Sequence, residues 1–228
     1  MSTTDLVEPV ERPVVLVVDD HRLVGLGLQT ALQLRGYRAV LSACESAEDI
    51  LDEATESRAD VVLLDLELGA AGDGQVLIRP LVGLGCAVVV LTGLSDRMLL
   101  AECLEAGAAG VATKAQTIDD LLEQVREAAD GGTATSFAER ARYLVELDEH
   151  RRAERVRIAP FATLSHKECT VLTFILEGRP AEEIATEGCV SLATVRSQIR
   201  SILLKLGVNS QLAAAALARR AGWSEVRP

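Results

Sequence analysis

The fold of this chain is decided by a run of five apolar residues that ends in two acids, Val14-Val15-Leu16-Val17-Val18-Asp19-Asp20. Three later runs have the same form, since each is short, mostly apolar and followed at once by a polar residue. They are Val61-Val62-Leu63-Leu64 before Asp65, Val88-Val89-Val90-Leu91 before Thr92, and Gly110-Val111-Ala112-Thr113 before Lys114. Apolar runs of this length predict buried strands of a parallel sheet.

Five polar groups follow these predicted strands: Asp19, Asp20, Asp65, Thr92 and Lys114. Open α/β sheets place their sites at the carboxyl ends of their strands, so we expect these groups to meet at one edge. Three clustered carboxylates repel one another unless a divalent cation binds them. The pattern therefore predicts a hard metal ion together with a phosphoryl group.

Length and composition describe an ordinary globular protein of one or two domains, with 228 residues, 49% hydrophobic and 25% charged. No apolar stretch approaches about 18 residues, and the N-terminus lacks the basic-then-apolar pattern of a signal peptide. A cytoplasmic location is therefore expected. The five cysteines show no Cys-x-x-Cys spacing, which favours reduced, buried thiols.

Charge is unevenly distributed along the chain. Residues 1–132 carry 9 Lys and Arg against 23 Asp and Glu, a net charge of −14, whereas residues 161–228 carry 8 against 6, a net charge of +2. The acidic first part argues against nucleic acid binding there, and the slightly basic last part permits it.

Residues 14–130 alternate between β-rich runs and amphipathic helical stretches, which predicts five strands, including one at about Arg38–Ala43, and five helices around a parallel sheet. We expect a first domain at 1–132 with its core at 13–130, a linker at 133–160, and an all-α domain of four helices at 161–228. Two apolar stripes are predicted to be buried. They are Leu23, Leu26, Leu28, Ala31, Leu32 and Leu34 in the first helix, and Ala141, Leu144, Val145 and Leu147 in a linker helix, Phe137–Arg155, that packs partly on the first domain.

Residues 14–130 resemble the receiver domain of two-component response regulators. The resemblance covers the element order and, jointly, Asp-Asp-His after the first strand, Leu-Leu-Asp-Leu at the third, Leu-Thr at the fourth and the lysine after the fifth. It implies a five-stranded, parallel, doubly wound fold of the flavodoxin-like kind. It also implies that a histidine kinase donates the phosphoryl group.

The same resemblance implies roles for individual residues. Asp65 is the expected phosphoacceptor, while Thr92 and Lys114 bind the phosphoryl group. The expected Mg²⁺ ligands are Asp20 directly, Asp19 directly or through water, Asp65, and the backbone carbonyl of Glu67. His21, beside the acids, is expected to be a surface residue at a helix start.

Two departures from the receiver pattern bear on how a signal would leave the site. Val111 stands where the family usually has Tyr or Phe, a ring that normally turns inward when the threonine moves, so coupling must use other groups. The loop after Asp65 has Gly69 in place of the usual proline and is one residue longer.

The last part of the chain predicts a helix-turn-helix. Ser165-His166-Lys167-Glu168 is a capping box, Pro180–Glu187 is a second short helix, and Ser191 caps a third helix through Leu206. The third helix should bury Val195, Ile199, Ile202, Leu203 and Leu206, and expose Arg196, Ser197 and Arg200. A recognition helix enters the major groove by its N-terminal residues.

Leu164–Trp223 closely resembles the LuxR/NarL-type output domain, on segments such as Glu-Glu-Ile-Ala, Val-Ser-Leu-Ala-Thr-Val-Arg-Ser-Gln-Ile and Leu-Lys-Leu-Gly-Val. By position, Arg196, Ser197 and Arg200 face base edges or nearby phosphates. Thr194, Lys205 and Lys167 are the expected contacts to the DNA backbone.

The combined interpretation is a cytoplasmic response regulator, not an enzyme, that accepts phosphate on Asp65 and binds promoter DNA as a homodimer. One alternative is a phosphorylation-independent regulator controlled by dimerisation or a ligand. An aspartyl-phosphate hydrolase would need a second Asp two residues after Asp65, where Glu67 stands. A pure protein-interaction adaptor would not retard DNA in a gel.

Overall fold

The computed structural model describes residues 12–93 and 96–224. The outer limits predicted for the two domains, residues 1 and 228, lie outside these ranges. The first part of the chain alternates strands and helices. The strands are β1 Val14–Val18, β2 Arg38–Leu41, β3 Val61–Asp65, β4 Ala87–Thr92 and β5 Gly110–Thr113. The helices are α1 Arg22–Leu34, α2 Ala47–Ser57, α3 Ile78–Gly83, α4 Arg97–Ala106 and α5 Ile118–Ala129.

The five strands form one parallel sheet in the order β2-β1-β3-β4-β5. Its centre is buried on both faces, since every residue of β1 and β3 is buried. Helices on both sides of a parallel sheet explain why these strands are uniformly apolar rather than alternating. The predicted α/β class and doubly wound architecture are confirmed.

Register brings the strand ends together. Val18 pairs with Leu64 and Thr92 pairs with Thr113. Asp19 follows Val18 directly, and Lys114 follows Thr113 directly, so a predicted site residue comes next after each strand. The sheet therefore places the predicted polar groups at one edge because the strands end in register.

The apolar stripe predicted for α1 is wrong in part. Leu32 is buried, but Leu23, Leu26 and Leu34 are exposed. Gly25 takes an inward position instead, because a Cβ there would lie 2.5 Å from Leu41 Cδ1. Helical period alone could not show that a glycine lets α1 approach β2 this closely.

A long helix, α6 Phe137–Ile158, follows the sheet and extends three residues beyond the predicted Arg155. Of its predicted stripe, Leu147 is buried, whereas Val145 is exposed and Tyr143 is buried instead. The chain divides into two compact units between Leu147 and Asp148, within α6. The domain limits at 132 and 160 stay predictions.

In the described part of the second unit, α6 is followed by a short 3-10 helix, Ala159–Thr163, and by four α-helices: α7 His166–Leu176, α8 Ala181–Glu187, α9 Leu192–Leu206 and α10 Gln211–Ala221. Their apolar faces share one core with Phe161, which stacks on Trp223 at a centroid distance of 5.6 Å. Within the described residues no single helix is long and apolar enough to cross a membrane; α9 and α10 pass that test only as a pair bent by 54°. Both helices supply residues to this core.

None of the five cysteines forms a disulfide. Cys44, Cys86 and Cys103 are buried, whereas Cys169 is half-buried and Cys189 is exposed. Burial raises the pKa of Cys103 to about 12. The expected burial of the thiols therefore holds for three of them.

A buried carboxylate joins α7 to α9. Glu168 completes the predicted capping box with Ser165, and its two oxygens also accept hydrogen bonds from Ser201 Oγ and Lys205 Nζ, both at 2.6 Å. Burial by itself raises the pKa of Glu168, but the hydrogen bonds from Lys205, Ser201 and Ser165 outweigh it and lower the pKa to about 2. The ionised carboxylate therefore stabilises the second unit.

We predict that Glu168→Gln destabilises the second unit by about 2 kcal/mol, since the hydrogen bonds to a buried charge are lost. The single tryptophan, Trp223, lies in this unit, so its fluorescence in a urea titration of the full chain reports this unfolding selectively. Glu177→Gln, which removes an exposed carboxylate at the end of α7, is the matched control.

The same carboxylate predicts a pH dependence. Its folded pKa of about 2 lies below the ordinary value of 4.5, so its contribution is fully present above about pH 4.5 and is lost as pH falls toward 2. The wild type should lose stability through this window, and Glu168→Gln should lose less. Equal acid sensitivity of the two proteins would contradict this assignment.

Candidate functional site

Three acids and a lysine meet at the carboxyl edge of the sheet. Lys114 Nζ donates to Asp19 Oδ2 at 2.9 Å and to Asp65 Oδ2 at 2.5 Å. The side chains of Asp19 and Asp65 are 1% and 4% exposed. The lysine therefore bridges two buried carboxylates and compensates their charge.

The environment of Lys114 favours its charged form. Burial by itself lowers the pKa of this ammonium, but the hydrogen bonds from Lys114 to Asp65 and Asp19 raise it more, so the pKa lies above its ordinary value. The two carboxylates that Lys114 contacts therefore stabilise its ammonium form.

The carboxylates also form a cluster whose chemistry suits a cation. Asp19, Asp20, His21 and Asp65 each offer a ligand atom, and these atoms lie within 4.8 Å of one another. Oxygen ligands of this kind suit Mg²⁺. The acidic pocket that the sequence predicts is therefore assembled.

His21 is exposed, as expected, but it does not stand apart from the acids. Its Nδ1 lies 2.7 Å from Asp20 Oδ1, and its backbone N–H donates to Asp19 Oδ1 at 2.8 Å. It precedes α1 and makes no side-chain cap. The contact orients the two acids at the start of the helix.

The loop after β3 explains one departure from the receiver pattern. Gly69 has a φ of +53°, and a Cβ there would lie 2.7 Å from Asp20 Oδ2. Proline fixes φ near −65°, so it cannot occupy this position. Gly74 is equally constrained, because its Cβ would lie 2.2 Å from the backbone oxygen of Asp65.

The two other predicted residues of this edge, Thr92 and Glu67, lie at the end of β4 and just past the end of β3. Thr92 is buried at the end of β4, and its backbone oxygen accepts a hydrogen bond from Lys114 N–H at 2.9 Å. Glu67 follows β3 by two residues, and its N–H donates to Asp65 Oδ1 at 3.4 Å.

The predicted DNA-contacting residues lie on α9, except Lys167, which lies in the first turn of α7. Arg196, Ser197 and Arg200 are exposed, while Val195 and Ile199 are buried beneath them. Ser191 caps the helix by accepting from Thr194 N–H, and the two hydroxyls lie 2.8 Å apart. The first turns of α9 thus present an exposed basic and polar surface.

Two charged residues of this surface have partners that the sequence did not reveal. Lys205 is held by the buried carboxylate of Glu168. Arg196 NH2 lies 3.6 Å from Glu182 Oε1 on α8. The contact of Lys205 could have been suspected from the buried acid of the capping box, but that of Arg196 depends on how α8 and α9 cross.

Two family models match the chain. The response regulator receiver domain matches residues 15–126, and the bacterial regulatory proteins of the luxR family match residues 162–218. The first match contains the acidic pocket and Lys114, and the second contains α8 and α9.

Curated relatives match over almost the whole chain. The nitrate/nitrite response regulator protein NarP of Escherichia coli (strain K12) is 30% identical over 204 residues, which are 89% of this chain and 93% of that protein. Response regulator GacA of Pseudomonas aeruginosa is 29% identical and covers 91% and 96%. A solved structure described as the two-component response regulator RcsB–DNA complex is 25% identical, with a TM-score of 0.50 and coverage of 91% and 98%.

Both halves of the chain and their order agree with one class of protein. An acidic receiver edge precedes a helix-turn-helix, and the relatives span both parts. The fold, the site and the comparisons together show that the chain belongs to the NarL/LuxR family of response regulators, and it is a DNA-binding two-component transcription regulator rather than an enzyme.

Proposed function

We propose that this regulator is switched by phosphorylation of Asp65 and that the phosphorylated form binds promoter DNA more tightly, as a homodimer in the cytoplasm. The observation that carries the proposal is the bridge from Lys114 to Asp19 and Asp65. Lys114 contacts an oxygen of Asp65, the proposed phosphoacceptor, where the charge of a transferred phosphoryl group would have to be stabilised.

Mg²⁺ fits the residues at this edge. Asp19, Asp20 and Asp65 supply hard oxygen atoms close together, and the backbone carbonyl of Glu67 is proposed to complete the protein ligands. When bound, the ion offsets the negative charge of the carboxylates and of the incoming phosphoryl oxygens.

The proposed transfer uses a phosphohistidine of a partner histidine kinase. A carboxylate oxygen of Asp65 attacks phosphorus, the phosphorus–nitrogen bond breaks, and its electron pair returns to the histidine ring, leaving an acyl phosphate on Asp65. Lys114 can then move its hydrogen bond from the carboxylate to a phosphoryl oxygen. Thr92, at the adjacent strand end, can donate its hydroxyl to another.

DNA recognition is proposed for the exposed surface of α9. Arg196, Ser197 and Arg200 are suited to base edges or phosphates, with Thr194, Lys167 and Lys205 at the DNA backbone. Lys205 already binds Glu168, so a contact with DNA would divide its ammonium between that carboxylate and a phosphate. A single helix-turn-helix has a small interface, so a dimer reading two half-sites supplies the specificity.

We predict that Asp65→Asn abolishes phosphoryl uptake, because the amide is not a nucleophile. Intact-mass measurement with a small phosphodonor and Mg²⁺ should show a one-phosphoryl gain in the wild type only. DNA affinity should rise with beryllofluoride in the wild type and not in the variant. If both proteins bound DNA equally tightly under all these conditions, the phosphorylation-independent alternative would replace this proposal.

We predict that Mg²⁺ stabilises the first unit against heat, by about 2.7 kcal/mol at a concentration one hundred times its dissociation constant. Asp20→Asn should weaken Mg²⁺ binding at least about tenfold, a loss of roughly 1.4 kcal/mol. Isothermal and scanning calorimetry measure the two effects. Asp119→Asn, an exposed acid paired with Arg35, is the control and should bind Mg²⁺ like the wild type.

We predict that Glu182→Gln raises affinity for DNA of any sequence. The carboxylate of Glu182 lies beside Arg196, so it repels phosphates where the arginine attracts them. Removing it should steepen the slope of log affinity against log salt concentration by up to about 0.9, which is the slope expected for one phosphate contact. Fluorescence anisotropy over a salt series measures the slope.

The neighbouring Glu183 is a matched control for this prediction, because it pairs with Arg179 rather than with the recognition helix. Glu183→Gln should leave the slope unchanged. An equal effect of both variants would mean that only net charge matters and that the surface of α9 is not specifically involved.

A further inference from the structure

The first part of α6 packs along α4 in the opposite direction. Arg140, near the start of α6, contacts the end of α4, whereas Glu146, two turns later, contacts Arg97 at the start of α4. Along α6, Tyr143 lies between these two contacts and Leu147 lies one residue beyond the second. Both side chains are buried. The α4–α6 clamp, defined by Arg97, Arg140, Tyr143, Glu146 and Leu147, therefore spans α4 from end to end.

The polar contacts of the clamp are specific in geometry. Arg97 donates from Nε and NH2 to the two oxygens of Glu146, both at 2.9 Å, and its guanidinium lies 4.7 Å from the ring centroid of Tyr143. Paired hydrogen bonds of this kind fix the orientation of both side chains. A cation stacked on the same ring adds to the attraction.

At the other end, Arg140 binds the backbone. Its NH1 donates to Ala108 O at 2.7 Å and its NH2 to Leu104 O at 2.6 Å. Leu104 lies in the last turn of α4, where its carbonyl accepts only a 3.3 Å hydrogen bond from Gly107 N–H within the described backbone and the helix dipole favours a cation. Arg140 thus attaches α6 to the C-terminal end of α4.

The segment that leads into α6 is attached to β5. Thr135 Oγ1 accepts a hydrogen bond from Val111 N–H at 3.1 Å. A Cβ on Gly110 would lie 2.5 Å from Ala134 Cβ, so a glycine is needed for this approach. The start of α6 and β5 are therefore held together.

Val111 connects the clamp with the core of the receiver. It packs against the cluster of Ala101, Leu104, Tyr143 and Leu147, and also against the core cluster on one face of the sheet. Receiver domains usually have an aromatic ring at this position. Here the cluster that covers Val111 takes its ring, Tyr143, from α6.

We propose that the α4–α6 clamp carries the response of the receiver out of the phosphorylation site. This inference rests on the proposed function, phosphorylation of Asp65. Thr92 ends the strand that precedes α4, and Lys114 follows Val111 by three residues. The two residues proposed to bind the phosphoryl group thus lead along the chain to the two elements, α4 and β5, that hold α6.

The physical argument is that α6 can respond to a displacement of α4 only if the two helices are joined rigidly. Packing alone would let the helices slide, whereas the Arg97–Glu146 pair fixes the start of α4 to a point on α6. Because α6 extends to Ile158, past the boundary at Leu147, a change in the clamp alters the helix that leads into the second unit. A two-state response requires a contact whose free energy differs between the two states, and we propose that the clamp is this contact.

The experiment uses the full chain with Arg97→Gln, Glu146→Gln and the double variant. DNA affinity is measured by anisotropy, with and without beryllofluoride and Mg²⁺, on a duplex selected from a random library by the wild type. Phosphoryl uptake is measured by intact mass. Asp148→Asn is the matched control, since Asp148 is an acid on the same helix that pairs with Arg152 at 2.8 Å instead.

We expect the wild type and Asp148→Asn to gain at least about fivefold in DNA affinity with beryllofluoride, within the usual range of coupling between sites. Arg97→Gln and Glu146→Gln should gain less than about twofold while phosphoryl uptake stays unchanged. The double variant should be no worse than either single one, because both changes break one contact.

Two results would overturn the inference, and each has a different consequence for the proposed function. If both single variants keep the full wild-type gain, the clamp does not carry the response, although phosphorylation control stands. If the wild type itself takes up no phosphoryl group or gains no affinity, the proposed function fails and the inference fails with it. Circular dichroism of each variant separates a lost response from lost folding.

Discussion

The receiver depends on compensating two carboxylates that its strands bury. Asp19 follows β1 and Asp65 ends the neighbouring strand β3, and the two strands pair in register, so the sheet brings both acids together despite their like charges. Lys114 arrives from β5 and bonds to both. A buried carboxylate without a partner would be strongly destabilising, so the lysine stabilises the site in addition to its proposed role in binding the phosphoryl group.

This arrangement also suits a switch. The lysine donates hydrogen bonds to both acids, and a phosphoryl group on Asp65 would compete for the same ammonium. A compact cation on a flexible stem can change partners with little rearrangement. The loop that carries Gly69 and Gly74 closes the other side of the pocket with backbone that passes too near Asp20 and Asp65 for any larger residue.

The second unit also contains a buried carboxylate whose charge is compensated by a lysine and by hydroxyl and backbone donors. Glu168 is buried at the start of α7, and its oxygens are satisfied by Ser165, Ser201 and Lys205. These bonds tie the recognition helix to α7 and fix the direction of its exposed surface. One of the predicted DNA-contacting residues, Lys205, therefore also holds the scaffold in place.

The sequence by itself determined the class of the fold and most of the site. Apolar runs ending in Asp19, Asp65, Thr92 and Lys114 predict both the parallel sheet and the meeting of these groups, because strand ends in such a sheet share an edge. The helical period of α9 likewise predicted which residues are buried and which are exposed, except that Leu203 is only half-buried.

Only the tertiary structure decided contacts between elements that are distant in sequence. Tyr143 rather than Val145 is buried on α6, and Gly25 rather than Leu23 faces β2, because the angle and distance between packed elements choose the inward residue. The pairs Arg97–Glu146 and Arg196–Glu182 join helices whose relative placement no local pattern encodes. Local periodicity specifies a face, whereas packing specifies what that face contacts.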